Sequence, residues 1–302
     1  MKLSGKIKSF YELLRETIQI CLSSNIVTQG AALSYYTFFA IAPLFLIVLA
    51  IAGFCFGRDA AQHELFNEVN GLIGKNGGDA IQSIVNAASQ PKTGTWATII
   101  AIITLFVAAT GVFIQLQTSL NLIWQIQQKK GYAWHGFIRH RLLSFAMVFG
   151  IGFLLLVSLT VSAALSAFGN LMGDYLSGRE ILIKILNFVV SLGIITVLFS
   201  MIFKFLPDVK VAWRNVWPGG FITAVLFNAG KFFFSLYIGH SSTISIYGAM
   251  GSLVIILLWV YYAALILFFG AAFTRIYAQR SHRSPEPIRS AEFITTKSQS
   301  VK

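Results

Sequence analysis

The hydrophobic positions of this chain fall into six long runs, separated by short segments that carry most of the charged residues. Each run has about the 20 apolar residues that an α-helix needs to cross a bilayer. The runs are too long and continuous for barrel strands, and lipid offers backbone groups no other partner, so we expect helices. The pattern predicts an all-α, polytopic membrane protein with six transmembrane helices, at about 31–56, 95–117, 142–168, 181–206, 217–239 and 249–273.

The basic residues predict the direction of these helices. The first 30 residues, the loops 118–141 and 204–216, and the tail from Arg275 together hold 17 of the 23 lysines and arginines. The opposite segments hold five, against six acidic residues. Cytoplasmic loops are enriched in Lys and Arg, so both termini are predicted to lie in the cytoplasm.

Two further helical elements are predicted outside the spans. Residues 7–22 place Ile7, Phe10, Tyr11, Leu14, Ile18 and Leu22 on one helical face. This pattern is typical of an amphipathic N-terminal helix on the inner leaflet. The segment 58–94 has its own apolar periodicity, interrupted by the glycines of 74–79. We expect an external helical hairpin between helices 1 and 2, since a structureless loop of this length is uncommon.

The end of the chain differs in character from the rest. Its last 20 residues contain two prolines and many polar side chains, which is typical of disorder. We therefore predict a single helical membrane domain over 1–280 and a disordered cytoplasmic tail over 281–302.

Composition supports the membrane prediction and narrows the partners. The chain is 56% hydrophobic and 11% charged, whereas soluble domains are about a quarter charged. The formal net charge of +12 comes mainly from the segments that set topology. We therefore expect membrane lipids as partners, with anionic headgroups at the cytoplasmic face, and no specific nucleic acid. The sequence does not indicate an oligomeric state.

Lys231 is the only charged residue well inside a predicted span. An ionisable group at membrane depth is a functional hypothesis by default, because it must be paired or face water. Helical spacing places Asn228 on the same face. The alternative is a structural anchor, since a lysine stem can extend towards the interface.

Three residues of the first span and one near the last complete a candidate polar cavity. Tyr35 and Tyr36 lie in the polar first turns, and Pro43 can kink the helix. The alternative is an interfacial aromatic belt with a harmless kink. Tyr247 lies in the segment entering the last span, where Gly248 can serve helix packing or line a cavity. The candidate set is Tyr35, Tyr36, Pro43, Asn228, Lys231 and Tyr247.

The sequence predicts no catalytic, cofactor-binding or metal site, and we expect no enzyme. It has no nucleophile elbow, P-loop or dinucleotide fingerprint. His135 and His140 are five residues apart without a nearby carboxylate, whereas helical metal sites more commonly use a spacing of four.

Several spaced motifs resemble one known family. They are Gly30 to Pro43 (GAALSYYTFFAIAP), Leu120 to Trp124 (LNLIW), Leu206-Pro207-Asp208, Trp213-Arg214, Pro218-Gly219, Lys231 and Ile246 to Ala249 (IYGA). Together they resemble the YihY/BrkB family of bacterial inner-membrane proteins, over about residues 20 to 275. The resemblance implies six helices and an inner-membrane location. Members usually carry Gly-Ala-Glu near the end of the last span, where this chain has Gly270, Ala271 and Ala272.

The resemblance also implies functions. Members have been linked to serum resistance and to envelope lipid or lipopolysaccharide transport, and have often carried a ribonuclease BN label that is generally regarded as a misattribution. The leading hypothesis is a transporter-like or lipid-handling inner-membrane protein. The alternatives are a membrane scaffold or assembly protein, which would crosslink to a defined partner, and, less favoured, a membrane-associated ribonuclease, which would cleave RNA with divalent metal.

Overall fold

A computed structural model describes residues 2–89, 95–129, 179–240, 251–281, 285–288 and 290–294. These residues are mostly helical, as predicted. The helices are α1 (Lys2–Ser23), α2 (Ile26–Phe56), α3 (Arg58–Ser89), α4 (Thr95–Trp124), α5 (Arg179–Phe205), α6 (Trp213–His240) and α7 (Gly251–Gln279). Four short strands complete the set: β1 (Ile126–Gln128), β2 (Val209–Lys210), β3 (Glu286–Pro287) and β4 (Ala291–Phe293).

Three stretches of the described chain are long and apolar enough to cross a membrane. They are Ile26–Ala50 in α2, Phe188–Phe205 in α5 and Gly251–Gln279 in α7. Helices α4 and α6 also cover predicted spans, while the predicted span 142–168 lies outside the described residues. A helical membrane protein is thus supported, and the six-span arrangement with both termini inside stays a prediction.

Helix α1 is bound to the end of α7. Leu13 of α1 packs with Phe273 and Ile276 of α7, and the Glu16 carboxylate pairs with Arg280 at 2.9 Å. The beginning of the chain and the residues after α7 therefore lie at the same end of the helix bundle. We call this the tail-side end.

The two faces of α1 have different surroundings. Leu13, Thr17 and Cys21 are buried on the protein side. Tyr11, Ile18 and Leu22, which belong to the predicted apolar face, are exposed on another side. An apolar helical face that the protein leaves uncovered suits the lipid contact predicted from the sequence.

Helix α3 folds back on itself at Gly74, which adopts a φ of +75° that glycine tolerates. A Cβ placed on Gly78 would lie 3.5 Å from the Cα of Asn70. Residues eight apart in a straight helix are separated by about 12 Å. The chain therefore doubles back, and the predicted helical hairpin is confirmed.

The hairpin packs on the bundle at the end opposite α1. Its buried side chains join one apolar cluster with residues of α2, α6 and α7. The members are Ile41, Phe66, Val69, Ile73, Ile81, Val85, Phe234, Ile255, Ile256 and Trp259. We call this the hairpin-side end.

The residues after α7 pair with two linkers between helices. Strand β1, directly after α4, pairs antiparallel with β4, and β2, between α5 and α6, pairs antiparallel with β3. Ala291 is buried in the main apolar core, and Ile288 packs against it. The prediction of disorder from 281 onwards is therefore wrong for residues 285–288 and 290–294, because the linkers supply backbone partners that the tail's own sequence does not reveal.

Candidate functional site

Lys231 lies within α6, on the side of the helix that faces α5. Gly220 packs closely on α5, since a Cβ there would lie 2.1 Å from the hydroxyl oxygen of Ser200. Lys231 follows Gly220 by eleven residues, about three helical turns, and so lies on the same side. Its side chain is half-buried and has no hydrogen bond or ion pair in the described part of the chain. The structure therefore leaves this ammonium without a described counter-charge.

Asn228 lies near Lys231 on α6, as the sequence predicted, but its amide is already engaged. Its Nδ2 donates to the carbonyl oxygen of Ala224 at 2.9 Å, within the same helix. Ala224 is fully buried. This polar face of α6 is thus turned partly into the protein.

The two tyrosines lie elsewhere. Tyr35 and Tyr36 are exposed on α2, where the Tyr35 ring contacts the rings of Tyr36 and Phe39. Tyr36 also packs over Gly111 of α4. The structure does not bring these tyrosines together with Lys231, because they lie on an outer face of α2 and Lys231 faces α5.

The remaining two candidate residues are Pro43 and Tyr247. Pro43 is buried, and α2 continues through it as a single helix from Ile26 to Phe56. Tyr247 lies outside the described residues.

A groove of about 350 Å³ lies between α6 and α7. Gly230, Phe233 and Phe234 line it from α6, and Leu258, Tyr261, Tyr262 and Leu265 line it from α7. Gly230 is the residue next to Lys231, but it faces α7, since a Cβ there would lie 1.8 Å from the hydroxyl oxygen of Tyr262. The groove and the lysine thus lie on adjacent sides of the same helical turn.

Closer to the tail-side end, glycine and threonine hold α6 and α7 in contact. A Cβ on Gly219 would lie 1.8 Å from the Thr274 hydroxyl oxygen, and a Cβ on Gly270 would lie 1.8 Å from that of Thr223. Each threonine hydroxyl donates to a carbonyl oxygen four residues earlier, at 2.6 and 2.7 Å. Small residues of this kind allow membrane helices to approach closely. This contact holds the tail-side halves of α6 and α7 together. The other halves of the same two helices form the groove.

The tail-side end contains polar contacts that the sequence did not predict. The side chains of Asn121 and Asp208 bond at 2.9 Å, and the Asp208 backbone N–H donates to Asn121 Oδ1 at 2.8 Å. Asp208 is only 2% exposed. The signal was available, because Asp208 is the only acidic residue between 181 and 285.

Arg275 of α7 makes the second set of polar contacts that the sequence did not predict. Its guanidinium donates to the Ile123 carbonyl oxygen at 2.5 Å and to Gln125 Oε1 at 2.7 Å. Ile123 lies in the last turn of α4, where backbone carbonyls lack helical partners and carry partial negative charge. Arg275 thereby fixes the end of α4 to α7. No cluster of three or more His, Cys, Asp or Glu side chains suited to a metal occurs among the described residues.

A family model described as Virulence factor BrkB matches residues 18–294. The chain belongs to the BrkB family. The match extends through β4, so the paired tail residues are part of the BrkB region. It also includes Asn121, Asp208 and Arg275, and both helices of the groove.

Curated relatives carry a name that states only their location. A UPF0761 membrane protein of Pseudomonas paraeruginosa is 28% identical over 86% of this BrkB-family chain and 62% of its own length. Similar proteins of Alkalilimnicola ehrlichii and Mannheimia succiniciproducens are each 30% identical, over 84% and 83% of the chain and 55% and 85% of their own lengths. The chain thus spans only about three fifths of the Pseudomonas and Alkalilimnicola relatives. No solved structure matches.

Proposed function

We propose that this BrkB-family protein is a transporter-like inner-membrane protein that handles anionic lipids of the cell envelope, with Lys231 binding the headgroup. One observation carries the proposal: a half-buried ammonium within an apolar helix that has no described partner. A charge at such depth is costly unless it meets an opposite charge or water. The phosphate of a lipid is an anion that the surrounding bilayer itself supplies.

The position of Lys231 along α6 suits this role. It lies nine residues before His240, the end of the helix, which is about 14 Å at 1.5 Å per residue. The long stem of a lysine can shorten that distance to the interface. The ammonium of Lys231 can therefore contact a lipid headgroup that lies slightly below the interface.

The proposal includes the predicted topology. Six spans with both termini in the cytoplasm place the hairpin-side end outside, so Lys231 would meet lipid of the outer leaflet. The basic segments of the opposite face would bind anionic headgroups of the inner leaflet. The protein would act without catalytic chemistry of its own.

Charge-conserving and charge-removing variants test the proposal. Lys231→Met keeps an unbranched side chain without the charge, Lys231→Arg keeps the charge, and Lys75→Met removes an exposed charge from the hairpin as the control. The purified proteins are compared by mass spectrometry of the phospholipids that remain bound, and in cells by envelope-lipid export in a strain that depends on the protein. We expect Lys231→Met alone to lower the anionic share and to reduce export. Unchanged bound lipid and normal export at a normal protein level would show that Lys231 is only an anchor.

A further inference from the structure

The groove between α6 and α7 opens on the outer surface of the bundle. Phe233 and Leu258, at its mouth, are 67% and 42% exposed. Phe234 is buried behind them, and the Tyr262 ring packs directly on the Gly230 backbone. The groove is therefore a concave part of the lateral surface, lined almost entirely by apolar and aromatic atoms.

The depth of the groove identifies what fills it. Leu258 and Leu265 lie seven and fourteen residues into α7, or about 10 to 21 Å from its start. That depth falls inside a hydrocarbon core about 30 Å thick. At this depth, the mouth of the groove contacts lipid acyl chains. The volume of about 350 Å³ is within the range typical of small-ligand sites.

Packed aromatic rings form the back of the groove. Its floor is supported by Trp259, whose ring lies 5.0 Å from that of Phe234 and 6.1 Å from that of Tyr262. Trp259 and Phe234 in turn belong to the apolar cluster under the hairpin. The hairpin thus supports the back of the groove while the front faces lipid.

We propose that this groove binds one acyl chain of a membrane lipid, seated against Gly230, Phe234 and Tyr262. The inference deepens the proposed function and rests on it for the assignment of a lipid as the ligand that is handled. It adds a binding site for the chain, on the side of α6 adjacent to the one that carries Lys231.

Photolabelling in vesicles tests the site directly. The probe is phosphatidylglycerol with a diazirine on one acyl chain, mixed into vesicles of phosphatidylethanolamine and phosphatidylglycerol that hold the full-length protein. Labelled residues are located by mass spectrometry. We expect labelling of Phe234 and Tyr262 to exceed labelling of Phe221 and Val225, on the exposed face of α6, by about threefold, a preference of roughly 0.65 kcal/mol.

A matched pair of variants tests whether the groove is responsible. Leu258→Trp places a large ring at the mouth, where Leu258 is 42% exposed, and Val225→Trp places the same ring outside the groove at a position that is 43% exposed. Leu258→Trp should reduce labelling of Tyr262 to the level of the exposed face, and Val225→Trp should leave it unchanged. If Leu258→Trp does not fold, Leu258→Phe is used in the same way.

Two results would overturn the inference: equal labelling of the groove and of the exposed face in the native protein, or undiminished labelling of Tyr262 in a folded Leu258 variant. The Lys231→Met protein separates this inference from the headgroup proposal. If Lys231→Met loses bound anionic lipid but the groove is not labelled, only the groove inference is wrong. If the groove is labelled but Lys231→Met keeps its anionic lipid, only the headgroup role of Lys231 is wrong.

Discussion

The two ends of the helix bundle differ in the polar bonds that join their elements. At the tail-side end, polar bonds join separate elements: Asn121 with Asp208, Arg275 with the end of α4, and Glu16 with Arg280. Two strand pairs add backbone hydrogen bonds there. At the hairpin-side end, an apolar cluster that includes Phe66, Ile81 and Trp259 joins the elements, and Leu49 packs on Ala61.

This difference assigns a mechanical role to each end. Hydrogen bonds have strict geometry, and breaking one in a buried site leaves a partner unsatisfied at a cost. Apolar contacts are non-directional, so side chains can repack after a displacement. We therefore expect the tail-side end to stay closed and the hairpin-side end, which contains Lys231 and the groove, to be the part that adjusts to lipid.

The largest effect is expected from Asn121→Leu at the tail-side end. This change removes two hydrogen bonds to Asp208, one of them to a carboxylate that is 2% exposed. We expect a loss of about 2–4 kcal/mol in the free energy of unfolding, measured by chemical unfolding in detergent micelles. Gln127→Leu is the control, because its bond to Glu292 is exposed. Similar stability of the two variants would mean that the polar contacts do not distinguish this end.

Gly270→Ala is expected to have the next largest effect. The new methyl group would lie 1.8 Å from the Thr223 hydroxyl oxygen and 3.0 Å from Phe203, so α6 and α7 must separate. Overpacking of this kind costs about 1–3 kcal/mol. Gly193→Ala on α5 is the control, since nothing lies within 4 Å of its Cβ position. An equal response in the unfolding assay would refute close packing at Gly270.

A pair of smaller deletions compares the ends directly. Ile81→Val in the hairpin and Ile123→Val in α4 each remove one buried methylene. Both should lower the free energy of unfolding by about 0.5–1.5 kcal/mol, because packing is similar at the two ends and only the polar bonds differ. A cost for Ile81→Val as large as that for Asn121→Leu would contradict the proposed asymmetry.

Cys21 lies in α1 and is buried against the bundle. Its thiol is expected to have the smallest effect on stability near neutral pH. Burial raises the pKa of this thiol from 9.0 to about 11. It should therefore react with maleimide about 100-fold more slowly near pH 8 than a thiol of ordinary pKa. The denatured protein is the control, and equally fast reaction of the native protein would show that α1 is not docked.

The same pKa gives a pH dependence with a definite sign. Because the pKa is higher in the folded state, the neutral thiol contributes stability below pH 9, and this contribution is lost as the pH rises towards 11. Cys21→Ser should remove this part of the pH dependence of unfolding.

Much of the architecture was predictable because its causes are local. Long apolar runs predicted the helices that contain the three candidate spans, and the glycines around Gly74 predicted the hairpin. The tail strands were not predictable, because their partners are distant linkers. Lys231 was identifiable as a charge in an apolar run. The placement of Tyr35 and Tyr36 on a different side of the bundle from Lys231 was not predictable, because lipid-facing and protein-facing sides of such helices are equally apolar and the sequence does not reveal how each helix is rotated.

The two proposals together place one lipid-binding region at α6, with the headgroup at Lys231 and a chain in the neighbouring groove. A cryo-electron microscopy structure of the full-length protein in its native lipid tests this most directly. We expect headgroup density within hydrogen-bonding distance of Lys231 Nζ and elongated density against Gly230 and Tyr262. An empty groove, with the Lys231 stem extended to the interface and no lipid beside it, would show that lipid does not bind at α6 in this way.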